Sequence, residues 1–231
     1  LRPLSVSGRG VPFAEGADGS IVGEGAAAVV LKRLDDAVRN SDRIYAVIRG
    51  IGGASGATLL PGEQAYCQSL ERAYADAGVE PATIAYLEAG AGGYPAEDRM
   101  EAKALAAFFD RSVKPGAAPG DNGETGHALR NSCAVSSVKG EIGHCGAASG
   151  LASFVRACLA LYQEIIPACR AGENPLAELQ NADWFYLPTT PRYWLRDRAD
   201  GPRRAGVSSF GVDGGCTHVV FEGCDNLPQL A

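Results

Sequence analysis

Few side chains in this 231-residue chain can do chemistry: three histidines (His127, His144 and His218) and seven cysteines are the first candidates. His144 sits in VKGEIGHCGAASG, a glycine-rich turn just ahead of an apolar helical segment. A position near a helix N-terminus favours a neutral imidazole that donates a hydrogen bond, which suits an oxyanion or a thioester carbonyl. A histidine that only caps the helix is the competing reading. His218, in GGCTHVVF, opens the last strand and reads as a structural histidine bonded to backbone. His127 falls in a Pro/Gly/Asn-rich loop and reads as surface. Cys145 beside His144, and Cys216 two residues before His218, invite a Cys–His nucleophile. Adjacent side chains point apart, however, and free cysteines commonly fill cores. No Cys-x-x-Cys pair or zinc spacing occurs, so no metal site is expected. GIGGASG (50–56) lacks the strand-to-helix context of a dinucleotide loop, and no phosphate-loop motif is present.

The more informative place carries no reactive group. IAYLEAGAGGYPAEDRMEAKALAAFF, residues 84–109, reads as a strand (84–88), a glycine-rich elbow and a helix (96–109). In α/β proteins, sites form where the carboxyl end of a strand meets a helix N-terminus. Here the elbow itself, Ala89 to Gly93, offers only glycine and alanine.

The surrounding elements follow from periodicity. GEGAAAVVLKRL (23–34) reads as a buried strand followed by a short helix, and RIYAVIRGIGG (43–53) as a second buried strand. An amphipathic helix over 62–77 places Tyr66, Leu70, Ala73 and Ala77 on one face, with Gly78 as its stop. Residues 111–131 read as a long loop, 132–140 as a strand, and the segment beyond His144 as a helix apolar nearly all round and therefore buried. EIIPACR is a short strand or extended turn, 172–203 is irregular, and RRAGVSSFGVDGGCTHVVFEGC closes as two strands around a glycine bend. Alternating strands and helices give an α/β fold with a mixed sheet. The two opening strands want partners from earlier in a chain, so the sequence reads as the later part of a larger unit.

Composition is ordinary for a globular protein, at 46% apolar and 21% charged residues. A net charge of -6 argues against nucleic acid or an anionic membrane as partner, and no apolar run is long enough to span a bilayer. The odd, scattered cysteines and the absence of a signal-peptide pattern point to a cytoplasmic setting.

Taken together, FAEGADGSIVGEGAAAVVLKRLDDAVRNSDRIYAVIRG, AYLEAGAGGYPAEDRME, SSVKGEIGHCGAASGLASFVRACLAL and RRAGVSSFGVDGGCTHVVFE stand in an order and spacing that resemble those of β-ketoacyl synthases. The resemblance runs from about Phe13 to Glu222 and is nearest in pattern to multidomain synthases. It implies a thiolase-like layered α/β/α/β/α fold, of which this chain would hold the last strands of the first half (1–55), the whole second half (56–225) and a tail (226–231). It implies no bound cofactor; acyl and malonyl groups arrive on the phosphopantetheine of an acyl carrier protein.

By that resemblance Lys139 and His144 match the family's catalytic lysine and second histidine. Glu141 stands where asparagine is common and could pair with Lys139. The family's other histidine belongs to an E-A-H-G-T-G-T elbow. Here the elbow reads Glu88-Ala89-Gly90-Ala91-Gly92-Gly93-Tyr94, so Gly90 takes the histidine's place and both threonines are gone. Asp98 and Glu101 keep the structural G-D-x-x-E pattern. Phe210, Gly211, Val212 and Asp213 fall on the family's substrate-gating loop, with Val212 and Asp213 departing from it. The nucleophilic cysteine of the family lies in a region outside this sequence. The resemblance therefore implies a non-condensing homologue of the chain-length-factor kind, dimeric with an active ketosynthase subunit or domain. A working ketosynthase with a cysteine from elsewhere, and a purely structural docking module, are the alternatives.

Overall fold

The computed structural model describes residues 3–112, 132–172 and 174–224. His127, most of the expected 111–131 loop and the expected 226–231 tail lie outside the described residues. In chain order the elements are α1 (Leu34–Arg39), β1 (Val47–Ser55), α2 (Glu63–Ala77), β2 (Tyr86–Glu88), α3 (Pro95–Ser112), β3 (Cys133–Ser136), α4 (Lys139–Ile142), α5 (Ser149–Gln163), β4 (Ile165–Ile166), α6 (Ala177–Gln180), β5 (Phe185–Tyr186), β6 (Arg192–Tyr193), β7 (Arg204–Phe210) and β8 (Gly215–Glu222).

Six strands form one mixed sheet in the order β1-β8-β7-β2-β3-β5. β2 pairs parallel with β3 and β7, β3 pairs parallel with β5, and β8 runs antiparallel to β7 and β1. Successive strand residues face opposite sides of a sheet, and the core divides accordingly. Leu87, Cys133, Val135 and Val220 pack with Leu70, Leu105 and Phe109 under α2 and α3. Their strand neighbours Tyr86, Ala134 and Phe221 pack with Ala157, Leu161 and Trp194 under α5. The result is three layers, helix–sheet–helix, with β7 and β2 central.

Two glycines of GIGGASG, Gly50 and Gly52, serve packing. α2 lies directly on β1, and a β-carbon at Gly52 would overlap the Ser69 carbonyl and the Ala73 backbone. Gly50 makes the same approach to Ala73 and Ala77 one turn on. The expected helix over 62–77 ends as read, with Gly78 in the left-handed conformation at φ 63°.

The strand read over 43–53 is β1, an edge strand with Arg49, Ile51 and Gly53 exposed, not a buried one, because among the described residues only β8 pairs with it; the strand read over 132–140 stops at Ser136, and Lys139 opens α4. Two further expectations are corrected. Residues 23–33 are not a buried strand: they form no ladder, and Val30 and Leu31 are 96% and 68% exposed. A β-branched run becomes a strand only against a partner edge, and among the described residues this segment has only the single Val22–His144 bridge beside it. α5 is likewise not buried all round. Ser153, Ala157 and Leu161 face the sheet, whereas Leu151, Leu159 and Tyr162 on other faces are exposed. No described helix is long and apolar enough to cross a membrane.

Gly52→Ala should cost about 1–3 kcal/mol, because an added methyl forces α2 away from β1. The check is a lowered urea midpoint with an unchanged slope.

Candidate functional site

β2 delivers the chain to the carboxyl edge of the sheet, where the Ala89 N–H still donates to Ser136 O at 2.7 Å. From Gly90 onward, buried acids of α3 take over. The Gly90 N–H donates to Glu101 Oε1 at 2.8 Å, and the Gly90 carbonyl accepts from the Lys139 ammonium. Asp98 receives three backbone donors: Gly92 at 3.0 Å, Gly93 at 3.1 Å and Phe13 at 2.9 Å. Asp98 and Glu101 are three residues apart on one helical face, which is why both reach the same loop. Burial pushes Asp98 up to about 6 in spite of those donors. Burial likewise raises Glu101 well above the usual carboxylate range, opposed by the Gly90 N–H and the Lys139 charge.

The turn after β3 is locked onto this elbow. Ser137 Oγ donates to Ala91 O at 2.5 Å, and the Val138 N–H donates to Glu88 Oε1 at 2.5 Å. Glu88 is fully buried, accepts the Tyr86 hydroxyl, and pairs with Arg156 of α5 at 3.4 Å. Lys139 is thereby buried against the elbow, while Glu141, two residues on, is exposed.

His144 is half-buried and fixed through its backbone, its N–H donating to Ile21 O at 2.7 Å and its carbonyl accepting from Gly23 at 3.1 Å. The Gly146 N–H donates to His144 Nδ1 at 3.1 Å. A backbone N–H can only donate, so Nδ1 is the lone-pair nitrogen and, in the neutral ring, Nε2 carries the proton. The ring is thus set as a donor through Nε2. Around the space that a β-carbon at Gly92 would take stand Ser20 Oγ (3.2 Å), Lys139 Cδ (3.4 Å) and His144 Cδ2 (3.8 Å). The Ser20 hydroxyl is buried without a hydrogen-bond partner among the described residues. Sequence reasoning missed it, because nothing local ties residue 20 to residue 92.

The loop between β7 and β8 closes the site. Phe210 sits edge-on to Tyr66 with centroids 5.0 Å apart, and a β-carbon on Gly90 would lie 2.6 Å from its Cδ2 and Cε2. The Gly211 N–H donates to Gly215 O at 2.8 Å, and Asp213 Oδ1 accepts the Gly215 N–H at 3.0 Å. Of the four gating-loop candidates Phe210 meets the elbow, Gly211 and Asp213 tie the turn, and Val212 is exposed.

The other sequence candidates stand apart from this chemistry. Burial pushes the Cys216 thiol up to about 11, so it stays protonated and un-nucleophilic near neutrality. Cys145 is half-buried, its thiol 3.7 Å from Gly143 O. His218 is buried and bonds a side chain instead of backbone, with Ser208 Oγ 3.0 Å from Nδ1. Ser208 continues through the Tyr66 hydroxyl (2.6 Å) to Glu101 (3.3 Å). Among the described residues no cluster of His, Cys, Asp and Glu could hold a metal ion.

Comparison with known proteins places this geometry. Residues 1–37 match the family model described as Beta-ketoacyl synthase, N-terminal domain, and residues 45–173 match Beta-ketoacyl synthase, C-terminal domain. The chain belongs to the β-ketoacyl synthase family. It is 38% identical to a phenolphthiocerol/phthiocerol polyketide synthase protein of Mycobacterium tuberculosis, over 99% of this chain and 14% of that protein. It is 37% identical to a polyunsaturated fatty acid synthase protein of Thraustochytrium sp., over 91% of this chain and 7% of that one. The ketosynthase from module 1 of the bacillaene synthase of Bacillus amyloliquefaciens superposes with a TM-score of 0.83 at 31% identity, covering 95% of this chain and 39% of that structure. A structure titled PfaC keto synthase–chain length factor gives 0.79 at 34% identity, covering 95% and 22%. The fold is that of the thiolase-like ketosynthases, and the β-ketoacyl synthase chain here spans a small part of its relatives' length.

Burial lowers His218 to about 3. An unfolded histidine binds its proton near 6.5, so acid favours the unfolded chain. The stability contributed by neutral His218 is complete above that value and is lost as pH falls toward about 3, by at most about 5 kcal/mol. Asp98, raised by burial, acts in the opposite sense between its ordinary value and about 6. Urea titrations at several pH values should therefore show the stability of the parent relative to His218→Asn shrinking on acidification.

Proposed function

We propose that this chain is a non-condensing ketosynthase homologue, chain-length-factor-like, that pairs as a dimer with an active ketosynthase subunit or domain. Its role is to shape the acyl pocket during fatty acid or polyketide elongation, on groups carried by the phosphopantetheine of an acyl carrier protein. One observation carries this reading. The elbow's backbone is fully held, by Glu101, Asp98 and Lys139, yet position 90 has no side chain and its side-chain space is taken by a phenyl ring.

The chemistry follows from counting donors. Decarboxylative condensation builds negative charge on an enolate and then on a tetrahedral oxyanion, and each needs preorganised donors. His144 Nε2–H supplies one. The Lys139 ammonium donates to the Gly90 carbonyl, and position 90 itself gives nothing. A missing donor of this kind costs about a hundred- to a thousandfold in rate. The similarity to the PfaC keto synthase–chain length factor supports the same reading.

A second reading, a working ketosynthase that uses Lys139 and His144 with a cysteine from elsewhere, is favoured by the intact Nε2 donor of His144. The two separate on turnover. With malonyl- and acyl-carrier proteins, the full-length protein alone should condense and decarboxylate about a hundred- to a thousandfold more slowly than when an active ketosynthase is added, read by mass spectrometry of the carrier-bound products. Full-rate condensation without a second ketosynthase would overturn the proposal.

A further inference from the structure

Ser20 is a hydroxyl that the fold holds in place and leaves unmet. Only 5% of the residue is exposed, and its Oγ has no hydrogen-bond partner among the described residues. Buried polar side chains are nearly always bonded, and an unmet one is costly, so it calls for a reason. Looseness is not the reason, because the backbone is pinned on both sides. The Gly19 N–H donates to the Gly93 carbonyl of the elbow at 2.9 Å, and the Ile21 carbonyl accepts from the His144 N–H at 2.7 Å. The Ser20 N–H donates to Pro3 O at 3.0 Å, and its carbonyl accepts from the Ser5 N–H at 3.0 Å. The chain thus carries Ser20 between the elbow and the His144 turn and seats its hydroxyl beside Gly92.

Three side chains converge there. A β-carbon on Gly92 would lie 3.2 Å from Ser20 Oγ, 3.4 Å from Lys139 Cδ and 3.8 Å from His144 Cδ2. Cδ2 adjoins Nε2, so the proton-bearing edge of the ring stands on the Gly92 side. Gly92 and His144 are each partly exposed, so the group is reached from that side. The Lys139 ammonium is engaged by the Gly90 carbonyl. The donors left beside the bare backbone of Gly92 are therefore a hydroxyl and an imidazole N–H, both uncharged. They suit an uncharged acceptor oxygen better than a carboxylate, which needs a counter-charge when it is desolvated.

We propose that Ser20 is a substrate-binding residue whose hydroxyl joins His144 Nε2 in holding the thioester carbonyl of the carrier-bound acyl group. It stands on the His144 side of the elbow, so position 90 is still without a donor. Its neutral hydrogen bond serves ground-state binding. The identity of the ligand rests on the acyl-pocket reading above; the unmet hydroxyl does not.

The test is binding of hexanoyl-pantetheine to the full-length protein, set against hexyl-pantetheine, the thioether that lacks the carbonyl. The parent should bind the thioester more tightly. Ser20→Ala should raise the thioester's dissociation constant about three- to tenfold and leave that of the thioether unchanged. The thermal midpoint of Ser20→Ala should stay level or rise, since the change removes an unmet hydroxyl. Ser20→Cys, which keeps the volume and weakens the donor, serves if Ser20→Ala does not fold. An unchanged thioester constant, or an equal loss for both compounds, overturns the role of Ser20. A lowered thermal midpoint overturns it too, since the hydroxyl then has a structural partner. A parent that binds the two compounds alike overturns the acyl-thioester reading of the site, and the proposal with it. None of these outcomes bears on condensation, which is read by turnover.

Discussion

The site depends on buried carboxylates gripping backbone amides. Glu88, Asp98 and Glu101 are each fully buried, and between them they accept N–H groups from Phe13, Gly90, Gly92, Gly93 and Val138. Those five donors belong to separate stretches of chain: the loop before α1, the elbow, and the turn after β3. Burying a carboxylate is costly unless hydrogen bonds and a counter-charge compensate. Here backbone donors compensate for all three, Arg156 pairs with Glu88, and the Lys139 charge favours the ionised form of Asp98 and Glu101. Burial still prevails in each case, and all three acids are raised above their ordinary values. What the network provides in return is position, since each oxygen fixes a particular amide of a particular loop.

This grip explains how the elbow keeps its shape with only a glycine at position 90. The carboxylates hold main chain, so the side chain at 90 is not part of the scaffold. Removing it leaves the amide on Glu101 and the carbonyl on Lys139. The side-chain direction at position 90 is not open, because Phe210 lies over it. An empty, apolar-lined gap in a well-packed region forfeits dispersion contacts, and an aromatic ring on the neighbouring hairpin recovers them.

Much of this was legible in the sequence where the signal was local. The strand–elbow–helix of β2 and α3, the helix stopped by Gly78, the closing hairpin and the glycine turn carrying His144 all follow from periodicity and glycine placement, whereas Lys139, read on a strand, opens the short helix α4. What escaped was long-range. Arg156 reaches Glu88 across 68 positions, and the Ser20 hydroxyl arrives beside Gly92 from the loop before α1. Neither has a spacing that announces it. The Val-rich 23–34 segment failed as a strand because strand formation belongs to a pair of segments, and the apolar run of α5 misled because hydrophobicity states what could be buried, not what covers it. The use of Gly50 and Gly52 in seating α2 on β1 likewise needed the packing.

The two walls of the elbow now differ in kind. On one side, His144 is held as a donor by the Gly146 amide, next to Lys139. On the other, the ring of Phe210 lies over Gly90. Such asymmetry separates binding from catalysis. A ground-state thioester carbonyl needs only a modest hydrogen bond, worth about 1 kcal/mol net, and one donor can supply it. An oxyanion needs donors aimed at charge that exists only in the transition state, and rate depends on that difference alone. On the reading proposed above, one polar wall and one apolar wall are well matched to hold an acyl thioester in its ground state and poorly matched to turn it over.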